Sequence, residues 1–138
     1  MDGEMSALIH ALLIAAFGAA TLLGNLIVRR LLSRITTSTP PSAPRDLLSR
    51  ERDLPGGRWI GTLERLGIYA CIVAGFPVGI GFVLAIKGLG RYPELRAQDE
   101  PAIGELFIIG TLASALWACA CAGAALGLSA LLRTLLLP

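Results

Sequence analysis

Residues 66–86, LGIYACIVAGFPVGIGFVLAI, contain no charged side chain. A membrane hydrocarbon core about 30 Å thick needs about 20 helical residues, so this stretch has the length of one crossing. Two further stretches, 5–28 and 106–132, also lack Asp, Glu, Lys and Arg. Buried helices of a soluble bundle keep a polar stripe, which these stretches lack. The sequence therefore predicts an all-α integral membrane protein with three transmembrane helices.

The composition agrees with a membrane location. The chain has 138 residues, a mean hydropathy of +0.69 and 54% apolar residues. Charged residues make up 16% of the chain, against roughly 25% in typical soluble domains. A chain of this length has room for one domain, so residues 1–138 are predicted to form a single membrane domain.

The charges that flank the three stretches predict the orientation. Acidic residues precede the first stretch and Arg29-Arg30 follow it, which is the reverse of a secretory signal peptide. With three crossings, one side receives nine basic residues, eight from 29–65 and Arg133, while the other receives three, between 87 and 96. Basic residues favour the cytoplasmic side of a membrane. The N-terminus is therefore predicted outside and the C-terminus in the cytoplasm.

The connection between the first two stretches has a different composition. Residues 33–57 form a linker on the predicted cytoplasmic side, and residues 36–44, TTSTPPSAP, are rich in Pro, Ser and Thr. Adjacent prolines favour an extended, solvated chain. Residues 45–54, RDLLSRERDL, place three leucines among charged residues. They predict a short helix that is either solvated or weakly bound to the membrane surface.

Pro77 lies in the middle of the second stretch. Its ring removes one helical hydrogen bond and clashes with the preceding turn, so a kink is predicted in this transmembrane helix. Glycines at 75, 79 and 81 surround the proline. The kink is either a functional hinge or an ordinary packed bend, and the packed bend is the favoured interpretation.

Each stretch carries a row of small side chains four residues apart, which places them on one helix face. In lipid, such faces allow helices to approach closely and to associate through van der Waals contact. The rows pack either within the chain or against a partner, and both alternatives stay open. The rows are Ala7, Ala11, Ala15 and Ala19 in the first stretch, Gly67, Cys71, Gly75 and Gly79 in the second, and Thr111, Ala115, Cys119, Gly123 and Gly127 in the third.

Ionisable side chains lie at the ends of the stretches and not in their middles. Burying an unpaired charge in a membrane is costly, so these residues are candidates for ion pairs or for function. We expect Glu64 to pair with an arginine on another helix, and Lys87 to pair with Glu105 beside His10. The arginines considered are Arg29, Arg30 and Arg133. The candidate polar residues are Glu64, Arg65, Lys87, Arg91, Glu94 and Glu105, with His10 and Asn25 as further polar positions.

The chain shows no pattern of catalytic or metal-binding residues. It has one histidine and lacks the HExxH, phosphate-loop and dinucleotide-binding patterns. Cys71, Cys119 and Cys121 fall inside the apolar stretches, where a packing role is expected. The arginines lack the folded platform of a nucleic-acid-binding domain. We therefore expect no enzymatic activity, no metal or other cofactor, and no nucleic-acid partner.

The part of the chain between residues 57 and 117 resembles a known family. The runs that carry the resemblance are GRWIGTLERLGIY, GFPVGIGFVLAIKGLGRYPEL and ELFIIGTLASALW. They are similar to the C-terminal membrane region of an uncharacterised bacterial family, a domain of unknown function. Gly88 and Tyr92 depart from that family's pattern. The resemblance implies a bacterial membrane protein and implies no activity. The matching positions are Gly61, Leu63, Glu64, Arg65, Lys87, Arg91, Glu94, Glu105, Gly110, Thr111 and Ser114.

These observations favour a non-enzymatic, multi-pass subunit or scaffold of a bacterial cytoplasmic (inner) membrane. We expect it to associate through its small-residue helix faces with itself or with other membrane subunits, in contact with the lipid bilayer. The alternative is a small oligomeric transporter or channel whose polar path is lined by Glu64, Lys87 and Glu105. A membrane-embedded enzyme is a weaker third hypothesis, because few polar residues lie at mid-membrane depth.

Overall fold

The computed structural model describes residues 2–36, 55–96 and 101–136, and this part of the chain is entirely helical apart from short turns. The described residues form five helices, in order: α1 (Asp2–Leu22), α2 (Gly24–Thr36), α3 (Pro55–Val73), α4 (Gly79–Arg96) and α5 (Pro101–Leu136). Helices α3 and α5 both begin with proline, whose fixed backbone angle suits the first helical turn. The all-α prediction is confirmed for these residues.

Helices α1 and α2 are separated by Leu23 alone. At this break the carbonyl of Ala20 accepts a hydrogen bond from the Leu23 amide at 3.1 Å and another from the Trp117 indole at 3.2 Å. Residues 4–34 and residues 104–135 are each long and apolar enough to cross a membrane. Two candidate crossings are therefore present in the described residues, one formed by α1 with α2 and one by α5.

The two candidate crossings lie side by side and run in opposite directions. Trp117 in α5 contacts the α1–α2 break, and an ideal Cβ at Gly110 would lie 3.6 Å from the Leu32 side chain. At the other end, residues 6–13 line a small cavity together with residues 129–133. We call this end, where residues 6–13 meet 129–133, the terminal end. The opposite end, where α2 stops and α5 starts, is the loop end.

The chain reverses direction between α3 and α4. Gly75 has a φ of 71°, in the left-handed region that favours glycine. The Gly75 amide donates to the Ile72 carbonyl at 3.0 Å, and the Phe76 amide donates to the Cys71 carbonyl at 2.8 Å. This pair of bonds is the Schellman motif that ends many helices. Pro77 follows in the turn, two residues before α4 begins at Gly79, and its carbonyl accepts a hydrogen bond from the Ile80 amide at 3.1 Å.

Helices α3 and α4 pack against each other as an antiparallel hairpin. Side chains and backbone meet at three levels away from the turn: Cys71 with Gly79, Gly67 with Val83, and Glu64 with Lys87. The prediction of one kinked transmembrane helix over 66–86 is therefore wrong. A continuous helix would hold Glu64 and Lys87 about 34 Å apart, at about 1.5 Å per residue. The Gly75 turn brings them into contact instead.

The hairpin packs along α5 from Phe107 to Ala125. Ile68 is fully buried against Ala115 and Ala118, and the Tyr69 hydroxyl donates to the Ile14 carbonyl of α1 at 2.7 Å. Helix α3 is parallel to α5, so α4 returns antiparallel to both. The apolar core consists mostly of small side chains, which allow these helices to approach closely. Its fully or almost fully buried members are Ile68, Tyr69, Ala115, Ala118, Cys121, Ala122 and Ala125.

The predicted count of three crossings and the predicted orientation are not confirmed. Within the described residues, two segments, 4–34 and 104–135, meet the length and hydropathy required of a crossing, and the hairpin stands in place of the third. Residues near both termini meet at the terminal end, which does not agree with termini on opposite sides of a membrane. Most of the predicted 33–57 linker, including the predicted helix at 45–54, lies outside the described residues.

Candidate functional site

A buried ion pair joins the two legs of the hairpin near the loop end. Lys87 Nζ lies 2.5 Å from Glu64 Oε2, and the side chains are 18% and 3% exposed, respectively. The Lys87 ammonium also lies 5.6 Å from the centre of the Phe107 ring of α5, within the range of a cation–π contact. One residue from each of three helices therefore meets at this point.

The two pairings predicted for these charges are wrong. Glu64 pairs with Lys87 of its own hairpin and not with an arginine of another helix, while Glu105 is exposed. The error follows from the assumed crossing over 66–86, which placed Glu64 and Lys87 on opposite membrane surfaces. His10 lies at the other end of the molecule, near Arg133. The side chains of Arg91 and Glu94 lie outside the described residues.

Arg65 lies beside this ion pair and is almost completely buried, with 4% of its surface exposed. Its Nη1 atom donates to Ser114 Oγ at 3.2 Å, and its Nε–H has no partner. A buried guanidinium with one neutral partner is under-satisfied, since the group carries five N–H donors.

Two glycines make room for Arg65. A Cβ at Gly24 would lie 2.9 Å from Arg65 Cδ and 2.6 Å from Trp117 Cδ1, so a side chain there is incompatible with both neighbours. A Cβ at Gly61 would lie 3.7 Å from Arg65 Nη1. The glycine at the α1–α2 break therefore allows the arginine stem and the indole to pack against the helix backbone.

Two further polar atoms near the loop end are buried with no hydrogen-bond partner among the described residues. They are Glu64 Oε1 and the hydroxyl of Thr111, which lies one helical turn from Ser114 on α5. Glu64 and Lys87 neutralise each other, so Arg65 leaves the cluster with a net positive charge. We call Glu64, Arg65, Lys87, Thr111 and Ser114 the loop-end polar cluster.

The rows of small side chains have different roles in the structure. The prediction that Gly67, Cys71, Gly75 and Gly79 share one helix face is wrong, because Gly75 lies in the turn and Gly79 begins α4. Gly67 contacts Val83 and Gly79 contacts Cys71 across the two legs of the hairpin. On α5, Ala115 is buried and Cys119 half-buried, whereas Gly123 and Gly127 meet no neighbouring atom within 4 Å of an added Cβ. On α1 the whole row is exposed: Ala7, Ala11, Ala15 and Ala19.

A second, smaller polar group lies at the terminal end between α1 and α5. Its cavity of about 20 Å³ has room for about one water molecule. His10 Nδ1 is buried there without a partner, and Ser129 donates to the Ala125 carbonyl at 2.7 Å. The lining residues are Ser6, Ile9, His10, Leu13, Ser129, Leu132 and Arg133.

Two residues of the loop-end polar cluster were not predicted from the sequence to belong to a site. Ser114 and Thr111 appeared in the sequence analysis only as matches to a family pattern or as small packing residues. Their hydroxyls follow Phe107 on one face of α5, at spacings of four and seven residues. That spacing is a usable signal, because it places the hydroxyls and the ring toward one neighbour.

In the part of the chain that the structure describes, no three His, Cys, Asp or Glu side chains are grouped to hold a metal ion. The chain matches no protein-family model, and it matches neither a curated protein nor a solved structure. The resemblance over residues 57–117 therefore stays a prediction, and function has to be argued from the geometry.

Proposed function

We propose that the chain crosses a membrane twice, with α1–α2 and α5, and that the α3–α4 hairpin enters and leaves the membrane from the loop end. Tyr69 contacts Gly18 and the Ile14 carbonyl near the middle of the first crossing, and the turn begins five residues further on, so the hairpin passes the middle of the membrane before it turns back. Such a segment is called re-entrant. Both termini then lie on one side of the membrane.

The distribution of basic residues supports this topology and gives its orientation. Eleven of the twelve Lys and Arg residues lie between residues 29 and 96, in segments that start and stop at the loop end. Only Arg133 lies near the terminal end. By the preference of basic residues for the cytoplasm, the loop end is cytoplasmic and both termini are outside. A three-crossing chain would leave three of these residues on the outer side.

The hydrogen bonds of the hairpin turn support its placement within the membrane. Backbone donors that face lipid without a partner are costly, so irregular backbone needs local acceptors. The amides of residues 74, 75 and 76 donate to carbonyls of α3, and those of 79, 80 and 81 donate to carbonyls of the turn. Residue 77 is a proline and has no N–H to satisfy, which leaves the Val78 amide as the donor of this turn without a backbone acceptor.

The topology is tested with single cysteines and a maleimide that does not cross membranes. In intact cells, cysteines replacing Ser6 and Thr134, near the two termini, should both be labelled from outside. A cysteine replacing Ser33, at the loop end, should be labelled only after lysis. Labelling of one terminus but not the other would contradict the two-crossing topology, and labelling of Ser33→Cys in intact cells would contradict its orientation.

The function that this geometry supports best is that of a non-enzymatic membrane subunit, which associates with a second copy or with a larger membrane complex. The observation that carries the proposal is the exposed row Ala7, Ala11, Ala15 and Ala19 on α1. Large side chains cover the exposed face of α4, where Phe82, Ile86 and Leu89 are between 65% and 74% exposed. The α1 face is therefore suited to close helix approach, while the α4 face is suited to lipid.

Association is tested by measuring the particle mass after extraction in a mild detergent. We expect a mass above the 14.5 kDa of one chain, after subtraction of detergent, or a co-purifying membrane protein. Ala15→Leu should reduce association, because a large side chain separates the helices. Ala85→Leu, on the exposed α4 face, is the matched control and should leave it unchanged. A monomeric wild-type particle without a bound partner would refute the proposal.

The alternative of a transporter or channel draws no support from the geometry of the cluster. Glu64 and Lys87 neutralise each other within one chain, and Glu105 is exposed away from the pair. The family resemblance supports a bacterial cytoplasmic membrane as the location. Proton or ion flux into liposomes that depends on Glu64 would restore the alternative.

A further inference from the structure

In the described part of the molecule, Arg65 is the residue whose surroundings point most clearly to a further binding site. It is 4% exposed, its one hydrogen bond among the described residues goes to the neutral Ser114 hydroxyl, and its Nε–H has no partner there. Glu64, the carboxylate beside it in the described part of the chain, is in direct contact with Lys87. Within the described residues, Arg65 therefore lacks a carboxylate of its own, which a buried guanidinium normally has.

The depth of Arg65 in the membrane increases the cost of burying its charge without a carboxylate partner among the described residues. Its stem packs against Gly24 and its guanidinium reaches Ser114, and both positions lie inside the charge-free stretches 5–28 and 106–132. A basic side chain within a membrane costs about 2.5–3.5 kcal/mol on insertion scales, and such residues usually pair or mark a binding site. Gly24 lies four residues and Ser114 eight residues inside the cytoplasmic ends of these stretches, so with the two crossings placed as proposed above Arg65 lies about 6–12 Å below the membrane boundary.

The donors around Arg65 fit a group that offers several negatively charged oxygens. The guanidinium presents parallel N–H bonds that suit phosphate, and the unpartnered Thr111 hydroxyl lies one turn from Ser114 on α5. Gly61 adds no side chain on its side of the guanidinium. Glu64 repels an anion, and the Lys87 ammonium at 2.5 Å offsets that repulsion.

We propose that Arg65, with the hydroxyls of Ser114 and Thr111, binds a phosphoryl group at the loop end. The phosphoryl group comes from a phospholipid headgroup of the cytoplasmic leaflet or from a soluble phosphate. This inference rests on the proposed topology for the depth of the site, and it is independent of association through α1.

Lipid binding to the full chain, purified in a non-ionic detergent, tests the inference by native mass spectrometry. The probes are dioleoylphosphatidylglycerol, dioleoylglycerol with the same tails and no phosphate, and inorganic phosphate as a competitor. We expect saturable binding of the phospholipid and none of the diacylglycerol. Competition by millimolar phosphate would identify a soluble phosphate as sufficient, whereas its failure to compete would identify the lipid headgroup.

The variants separate a specific site from general attraction to basic residues. Arg65→Gln should raise the dissociation constant for the phospholipid by about tenfold or more, because it removes charge-assisted hydrogen bonds. Arg30→Gln, which removes an exposed arginine of α2, should change it by about twofold at most, as expected for a screened surface charge. Equal weakening by both substitutions would overturn the proposal, as would the absence of saturable binding or equal binding of the diacylglycerol.

A second pair of variants covers the case in which Arg65→Gln does not fold. Thr111→Val and Ser114→Ala keep the arginine and remove one hydroxyl each. We expect each to weaken phospholipid binding by about threefold to tenfold, which is the size of one hydrogen bond. Unchanged affinity in both folded variants would overturn the assignment of the site. Failure of the topology would appear separately, in the labelling of the termini.

Discussion

Replacing Gly75 by alanine distinguishes the hairpin turn from a continuous helix by the sign of its effect. Gly75 has a φ of 71°, and an added Cβ would meet no atom within 4 Å. The effect therefore comes from the backbone alone. An L-residue in the left-handed region costs about 1–2 kcal/mol, which exceeds the smaller gain from a less flexible unfolded chain. We expect Gly75→Ala to lower the free energy of unfolding by about 1 kcal/mol.

In a continuous helix over 66–86 the same substitution would have the opposite effect. Alanine is favoured over glycine by about 0.8–1.0 kcal/mol in a helix interior, so Gly75→Ala would stabilise the protein. The two structures thus differ by about 2 kcal/mol in the predicted change. Gly88 is the matched control, because it lies inside α4 with open space around it. Gly88→Ala should stabilise the protein in either case.

The measurement is reversible unfolding of the full chain in mixed detergent micelles. Increasing fractions of sodium dodecyl sulfate unfold the helices, and far-ultraviolet circular dichroism follows the transition. Both free energies of unfolding are compared with that of the wild type. Stabilisation by Gly75→Ala as large as that by Gly88→Ala would refute the chain reversal.

Three further substitutions probe contacts that depend on the same fold. Gly79→Cys, with Cys71 as the only other cysteine, should form a disulfide on oxidation, because a Cβ at 79 would lie 2.6 Å from Cys71 Sγ. Mass spectrometry should detect the disulfide, and an uncrosslinked product would count against the antiparallel legs. Gly24→Ala should lower the free energy of unfolding by about 1–3 kcal/mol, since its Cβ collides with the indole ring of Trp117. An unchanged unfolding curve would contradict that packing. Tyr69→Phe should cost about 1 kcal/mol in the same assay by removing the 2.7 Å hydrogen bond to the Ile14 carbonyl, and a neutral effect would show that the bond is not needed.

Much of the helical structure follows from the sequence, because apolar length and the absence of charge are strong signals. The first and third stretches lie within the two candidate crossings, 4–34 and 104–135. The small-residue rows of the first and third stretches were also visible, although only the structure divides them between contacts inside the chain and an exposed face. The row predicted in the second stretch is broken by the turn at Gly75. A row specifies which side chains share a helix face, but it carries no information about what that face meets.

The chain reversal escaped prediction because a stretch of 21 apolar residues has the length of one crossing and also that of a hairpin. Pro77 was interpreted as a kink within a helix. Glycine at a helix end followed closely by proline is a stop signal, and Gly75-Phe76-Pro77 has that arrangement. The loop-end polar cluster was missed for the same reason, since its members were assigned to opposite membrane surfaces.

The ion pair gives a physical reason for the reversal. If residues 66–86 crossed the membrane, Glu64 and Lys87 would each need a separate partner at opposite surfaces. In the hairpin they neutralise each other, and each leg brings one charge to the same depth. Charges of opposite sign in contact are much less costly to bury than isolated ones. The same arrangement leaves Arg65 as the cluster's uncompensated charge, so the contact that closes the hairpin also creates the binding site proposed for a phosphoryl group.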